Sequence, residues 1–179
     1  GEISQFGERI QMAPTQVFVN MSKDLKEPEL SRVNYLQYEG TKLAISNWFS
    51  KVAKSRGMKQ EELLRWETNI WKTAGWGNIF FNATDFMGGR VSCRIENSPF
   101  AQTYLETLGK SKMPVCHILR GGLAGGCIAV TGMKDIEAIE KTCMSQGGTH
   151  CEFILKPRKE FSDVSDMNLR KQIDPISKK

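Results

Sequence analysis

The apolar positions in the first half of the chain recur at spacings of three and four residues, which predicts two amphipathic helices. The first spans residues 32–56 and ends at Gly57, and the second runs over about 60–74. The apolar stripe of the second helix comprises Leu63, Trp66 or Glu67, Ile70, Trp71 and Ala74. The spacing alone leaves open whether Trp66 or Glu67 faces the core.

Alternating apolar and polar positions replace the helical spacing after the second helix, and this pattern predicts strands. Residues 78–84 are aromatic and apolar, a glycine turn follows, and residues 90–96 alternate, as expected of a hairpin. Two closing strands are predicted at 135–142 and 151–156, joined by a turn that contains glycine. Alternation within the last strand directs Cys151 toward the core.

Two further helices, at residues 100–108 and 115–130, separate the two predicted hairpins. The order of helices, hairpin, helices and hairpin favours an α+β fold in which an antiparallel sheet packs against helices. The second of these helices is rich in small residues from Gly121 to Gly126. Such residues permit close packing against the sheet or against a second copy of the chain.

The two ends of the chain differ from the middle in composition. Residues 1–30 are mixed and contain two prolines, which predicts an N-terminal arm with one strand at 16–21. Residues 31–157 are expected to form the folded domain. Residues 158–179 thin out in apolar content, and they predict a flexible C-terminal tail.

The composition is that of a globular protein, with 40% hydrophobic and 25% charged residues among 179. No apolar stretch approaches the roughly 18 residues that would span a membrane. Acidic residues interrupt the cations near the C-terminus and the net charge is only +5, which argues against nucleic acid binding through this domain. Residues 1–10 lack the apolar core of a signal peptide, and five cysteines are an odd number, so free thiols in the cytoplasm are expected.

Three of the cysteines and one glutamate fall where predicted elements begin or end. Cys116 opens a helix. Glu140 and Cys143 lie at the end of a strand, and Cys151 begins the next strand. Three thiolates and one carboxylate would form a closed tetrahedral set that suits a structural zinc ion. The alternative is that the cysteines pack as small hydrophobic residues and that Glu140 is solvated.

Five short motifs stand out between residues 75 and 153. They are Gly75-Trp76-Gly77, Glu96-Asn97-Ser98-Pro99-Phe100-Ala101, Pro114-Val115-Cys116, Glu140-x-x-Cys143 and Cys151-x-Phe153. Together they resemble the 4-vinyl-reductase domain family over roughly residues 30–157. The resemblance implies the ligand-binding-domain fold that nitric-oxide-signalling and Golgi-transport proteins share. Such domains are commonly dimeric and have a pocket between helices and sheet.

Phenol-sensing transcription activators that carry this domain hold zinc with a cysteine, then Glu-x-x-Cys, then a cysteine eight residues on. The resemblance therefore implies zinc ligands at Cys116, Glu140, Cys143 and Cys151. Those activators also hold the phenol hydroxyl with a histidine and a tryptophan. The two histidines of this chain lie outside the helical region where that histidine would fall, so the resemblance does not extend to phenol specificity.

Aromatic residues concentrate on the elements that would enclose the pocket. The candidates for a shared apolar wall are Trp48, Trp71, Trp76, Phe80 and Tyr104. Such a wall would suit a small hydrophobic molecule, such as a hydrocarbon. The alternative is that these rings pack against one another in an ordinary core.

These observations favour a small-molecule ligand-binding or sensor domain with a structural zinc ion, acting as a homodimer. Two other functions stay open, namely a reductase helper that handles a cofactor or tetrapyrrole and a dimeric assembly scaffold. No nucleophile, base and orienting group can be assigned together, so an enzyme is not favoured.

Overall fold

The computed structural model of the chain describes residues 4–5, 8–9, 13–162 and 167–174. Its helices are α1 (Thr15–Asn20), α2 (Glu29–Arg56), α3 (Gln60–Thr73), α4 (Pro99–Leu108), α5 (His117–Thr131) and α6 (Met167–Arg170). Its strands are β1 (Ser4–Gln5), β2 (Glu8–Arg9), β3 (Asn78–Asp85), β4 (Arg90–Glu96), β5 (Ile136–Thr142) and β6 (Cys151–Pro157). The four long strands form one antiparallel sheet in the order β3-β4-β6-β5. The predicted α+β class is therefore confirmed.

The inner face of the sheet is built by alternation along β4 and β6. On β4 the side chains of Val91, Cys93 and Ile95 are buried, and the residues between them are more exposed. Cys93 pairs with Phe153 and Ile95 pairs with Cys151, so the buried sets of the two strands meet on one face. Cys151 points into the core, as the alternation predicted.

Helix α5 lies against α2, and two of its glycines make the approach possible. A Cβ atom at Gly121 would lie 2.3 Å from the carbonyl oxygen of Tyr38. A Cβ atom at Gly125, one turn later, would lie 2.5 Å from the carbonyl oxygen of Lys42. The close packing predicted for this helix therefore occurs, and its partner on this face is α2 of the same chain.

The strand predicted at 16–21 is wrong, because this segment forms α1. Pro14 precedes the helix with a φ of −58°, which suits a helix start. The Phe18 ring packs against Phe100 of α4 at a centroid distance of 6.0 Å, and the hydroxyls of Thr15 and Thr103 are hydrogen bonded. Contacts with α4 thus outweigh the strand propensity of the two valines in the segment.

The described part of the predicted flexible tail packs onto β5. Phe161 and Ile173 are buried in a small cluster with Ile139. The Gln172 side chain accepts a hydrogen bond from the Glu140 N–H and donates one to the Glu140 carbonyl, both at 2.8 Å. Since β5 is an edge strand, Gln172 satisfies backbone groups that would otherwise be unpaired. Residues 163–166 and 175–179 of the predicted tail lie outside the described residues.

Most of the predicted arm at 1–30 is likewise helical or turn where it is described, and β1 and β2 form a short antiparallel pair. Residues 1–3, 6–7 and 10–12 of the arm lie outside the described part. Among the helices that are described, none has both the length and the hydropathy to cross a membrane.

Candidate metal centre and ligand cavity

Three elements of the fold bring the four predicted ligand residues together. Cys116 directly precedes α5, Glu140 lies on β5, Cys143 follows β5 by one residue, and Cys151 begins β6. All four side chains are buried. One ligand atom from each lies within 4.8 Å of the others, so the group could hold a metal ion.

The sulfur–sulfur distances suit tetrahedral coordination. Cys116 Sγ lies 3.8 Å from Cys143 Sγ and 3.6 Å from Cys151 Sγ, and the latter two are 3.8 Å apart. Zinc–sulfur bonds of about 2.3 Å in a tetrahedron place the sulfur atoms about 3.8 Å from each other. A disulfide would need about 2.05 Å, and all five cysteines are free.

The Glu140 carboxyl presents one oxygen that is not used by the protein. Oε2 accepts a hydrogen bond from the Cys116 N–H at 2.9 Å. Oε1 is buried and has no hydrogen-bond partner within the described part of the chain. An irregularity in the pairing of β5 with β6 falls between Glu140 and Thr142, at the point where the strand turns toward the cysteines. An orphaned carboxyl oxygen beside three thiols is suited to a fourth metal ligand.

The protonation of the cluster reflects its burial. Desolvation raises the pKa of the Cys116 thiol and of the Glu140 carboxyl well above their ordinary values. Hydrogen bonds from the thiols of Cys116 and Cys151 lower the pKa of Cys143. Ionising all four groups would place like charges close together without water, which a divalent cation would compensate.

Hydroxyl and amide groups surround the sulfur atoms. Ser98 Oγ lies 3.3 Å from Cys116 Sγ, and Ser145 Oγ lies 3.0 Å from Cys143 Sγ. The Met144 N–H donates to Cys151 Sγ at 3.4 Å. Each sulfur thus has a neighbouring polar group of the kind that orients and stabilises thiolate ligands.

The remaining cysteines and His117 lie apart from this cluster. Cys93 and Cys127 are core thiols, as expected, and burial raises the pKa of each to about 12. His117 follows Cys116 in sequence but lines a cleft on the other side of the helix start. Its imidazole is half-buried rather than on the open surface as predicted, and desolvation lowers its pKa.

The five aromatic residues predicted to share one wall are spread over three places. Trp71 and Trp76 are in contact, with ring centroids 4.4 Å apart, whereas Trp48 packs against other rings of α2 and α3. Phe80 is 42% exposed, and the Arg94 guanidinium covers its ring. Tyr104 lines the cleft beside α1 and α4. Helix rotation and strand pleat set these directions, and the aromatic content of the segments did not reveal them.

Two cavities lie beside these rings. The larger, of about 350 Å³, opens between α1, the start of α2, α4 and residues 110–118. The smaller, of about 20 Å³, lies between α3, α5 and the sheet. Its lining includes Trp71 and the carboxyl-bearing residue Glu67.

Sequence reasoning missed two buried charged residues. Glu67 is only 5% exposed, which answers the question that the helix pattern left open in favour of Glu67 over Trp66. Arg120 on α5 is 1% exposed, and its guanidinium lies 3.9 Å from the centre of the Tyr38 ring. It donates to the carbonyl oxygens of Ala138 and Gln172. The signal for both was a charged residue within an apolar helical stripe.

The part of the chain that carries the metal cluster is similar to a known domain family. Residues 91–157, which include all four candidate ligands, match the model of the 4-vinyl-reductase domain. A comparison with curated protein sequences finds no significant match. The resemblance to this family that the sequence motifs predicted is confirmed.

Solved structures share the fold at low sequence identity. The phenol-responsive sensory domain of the transcription activator PoxR, solved with phenol, is 19% identical, with a TM-score of 0.77 over 91% of this chain and 84% of that one. Subunit 3 of a trafficking protein particle complex from Naegleria fowleri, covalently bound to palmitic acid, is 12% identical, with a TM-score of 0.55 over 80% of this chain and 92% of that one. A vinyl-4-reductase family protein from Methanocaldococcus jannaschii is 15% identical, with a TM-score of 0.47 over 80% and 90%.

Proposed function

We propose that this chain is a small-molecule ligand-binding or sensor domain in which Cys116, Glu140, Cys143 and Cys151 bind a structural zinc ion. The observation that carries the zinc assignment is the geometry of the cluster, with three sulfur atoms at tetrahedral spacing and one orphaned carboxyl oxygen beside them. All four ligands come from the protein, so the ion would cross-link the fold and would not present an open position for catalysis.

The residues of the site would connect three elements around such an ion. Cys116 fixes the start of α5, and Cys143 and Cys151 fix the two ends of the turn between β5 and β6. Glu140 joins the cluster to the C-terminal segment, because Gln172 pairs with its backbone. Loss of the ion should therefore loosen this end of the sheet first.

The zinc assignment is tested by comparing two buried cysteines. Cys143 lies in the cluster, and Cys93 lies in the core on β4, so each serine variant removes one buried thiol. Elemental analysis should find about one zinc per chain in the wild type and in Cys93→Ser, and much less in Cys143→Ser. Equal zinc content in all three proteins would refute the assignment.

Ligand binding is supported by the shared fold and by the cavity at Glu67. The PoxR domain of the same fold is described as phenol-responsive. The cavity in this chain combines apolar walls with one polar group, which is the usual composition of a small-molecule site. Native mass spectrometry of the purified protein tests the proposal, since a co-purifying apolar molecule supports a sensor. A tetrapyrrole or flavin would indicate a helper, and an empty core would indicate a scaffold.

A homodimer is supported by an exposed apolar stripe along α2. Leu36 and Leu43 are 61% and 64% exposed and lie two turns apart. Gly40 lies between them, and a Cβ atom there would meet nothing within 4 Å. A second copy of α2 packing on this stripe would bury both leucines, and a two-fold arrangement is the commonest closed assembly. The polar residues of α2 on either side would border such an interface.

A further inference from the structure

The Glu67 carboxyl is buried at the junction of α3, α5 and the sheet without the partners that a buried carboxyl normally has. Its side chain is 5% exposed, and Oε1 has no hydrogen-bond partner among the residues that the structure describes. Buried polar groups are nearly always hydrogen bonded, so an exception asks for an explanation. Desolvation holds the pKa of this carboxyl well above its usual range.

Room for the carboxyl is provided by a glycine on the neighbouring helix. A Cβ atom at Gly126 would lie 2.7 Å from Glu67 Oε2 and 3.4 Å from Oε1. The preceding glycine on this face, Gly122, makes similar room for the rings of Trp71 and Trp76. The α5 face that meets α3 is therefore shaped around the carboxyl and the two indoles.

A small cavity lies beside the carboxyl. Its volume of about 20 Å³ admits one group of the size of a water molecule, such as a hydroxyl or an amino group. The rest of its wall is formed by Leu64, Thr68, Trp71, Phe81, Phe86, Val91, Leu123, Cys127, Val130 and Leu155. Apart from Glu67 and Thr68 these side chains are apolar or aromatic, and the Thr68 hydroxyl already donates to the Leu64 carbonyl.

The outer wall of this cavity is its least buried side. Phe81 is 39% exposed, and its ring lies 6.1 Å from that of Phe86 in an edge-to-face contact. Phe81 lies on the edge strand β3, where the pairing with β4 is irregular between Phe81 and Ala83. Outward rotation of these two rings would extend the cavity to the size of one aromatic ring, while the head group of a ligand remained at Glu67.

We propose that Glu67 is the polar anchor of the ligand site, and that the ligand is a single-ring aromatic molecule whose one O–H or N–H group donates to Glu67 Oε1. This inference rests on the proposed ligand-binding function and specifies its chemistry. A site that leaves a buried acceptor unpaired discriminates against a molecule of the same shape that lacks the donor.

Isothermal titration with three molecules of nearly equal size tests the proposal on the purified full chain. Phenol offers an O–H donor, aniline offers N–H donors, and toluene offers none. Phenol, aniline or both should bind at least about tenfold more tightly than toluene, because toluene leaves the acceptor unpaired. Whichever of the two binds more tightly identifies the head group.

Variants of the anchor separate its role from a merely structural one. Glu67→Leu should reduce the preference over toluene to less than about threefold, whereas Glu67→Gln retains an acceptor and should keep most of it. Gly126→Ala displaces the carboxyl without removing it and should also weaken the preference. Glu61→Leu, an exposed change on the same helix, should alter nothing. Zinc content and a melting curve establish that each variant is folded.

The outcomes distinguish this inference from the proposed function. Equal binding of all three molecules by the wild type and Glu67→Leu would overturn the anchor and leave ligand binding in place. Failure of all three to bind would overturn the ring-sized ligand. The proposed function itself fails on separate evidence, namely the absence of both zinc and any co-purifying molecule in native mass spectra.

Discussion

Replacing Glu67 by glutamine should change how the stability of the fold depends on pH. Burial raises the pKa of this carboxyl in the folded chain above its ordinary value of 4.5. Above pH 4.5 the unfolded chain releases the proton while the folded chain retains it. The folded state then binds more protons, so the free energy of unfolding falls as pH rises toward the folded-state pKa. Below pH 4.5 both states are protonated and the effect vanishes.

The size of the effect follows from the interval between pH 4.5 and the pH of the measurement. Each pH unit corresponds to about 1.4 kcal/mol for one proton. At pH 7 the wild type should therefore have lost up to about 3 kcal/mol relative to pH 4.5 through this group. Glutamine has nearly the same shape and does not titrate, so the variant should not show this loss.

Urea denaturation followed by tryptophan fluorescence, at pH values from 5 to 8, measures the difference. The stability of Glu67→Gln relative to the wild type should increase steadily with pH, and contributions of zinc binding common to both proteins cancel. Glu61→Gln is the control, because Glu61 is exposed on the same helix. A stability difference that stays constant over this pH range would refute the reasoning, since it would mean that Glu67 is ionised in the folded chain.

The packing leads to three more expectations. Gly125→Ala should cost about 2 kcal/mol more than Gly126→Ala in thermal or urea unfolding, because its Cβ meets backbone at 2.5 Å, whereas the other meets a mobile carboxyl; equal costs would contradict the close helix contact. Leu36→Glu combined with Leu43→Glu should convert a dimer to a monomer in light scattering, whereas Met87→Glu, at an exposed turn, should not. A wild type that is already monomeric at micromolar concentration would count against the dimer.

The sheet and the helices around it were predictable because their patterns are local. Strand β4 was predicted with the bounds it has, since alternation over seven residues defines both a strand and its buried face. Helices α2 and α3 likewise follow from their spacing and from the glycine after α2. Segment α1 was predicted wrongly because six residues with two valines carry a strand signal that only the contact with α4 outweighs.

The metal cluster and the aromatic wall differed in how far sequence could reach. Spacing placed Glu140, Cys143 and Cys151 at the ends of two adjacent strands, where a short turn forces them together. The fourth member, Cys116, required the family resemblance, because nothing local connects a helix start with a distant hairpin. The aromatic residues were chosen by content and not by direction, so rings as different as the buried Trp71 and the exposed Phe80 were grouped.

Glu67 illustrates the limit of pattern reasoning most clearly. The helical stripe allowed either Trp66 or Glu67 to face the core, and hydrophobicity alone would favour the tryptophan. The structure buries the glutamate because Gly126 leaves space for its carboxyl. That space depends on how α3 and α5 cross, which the sequence of either helix does not specify.

The most direct test of the metal assignment is X-ray absorption at the zinc edge of the purified protein. The spectrum should fit three sulfur atoms at about 2.3 Å and one oxygen at about 2.0–2.2 Å from the metal. Cys143→Ser should lose the signal or one sulfur atom from this shell, and Cys93→Ser should leave the spectrum unchanged. A shell of only nitrogen and oxygen atoms, or a protein without a zinc edge, would contradict the site formed by Cys116, Glu140, Cys143 and Cys151.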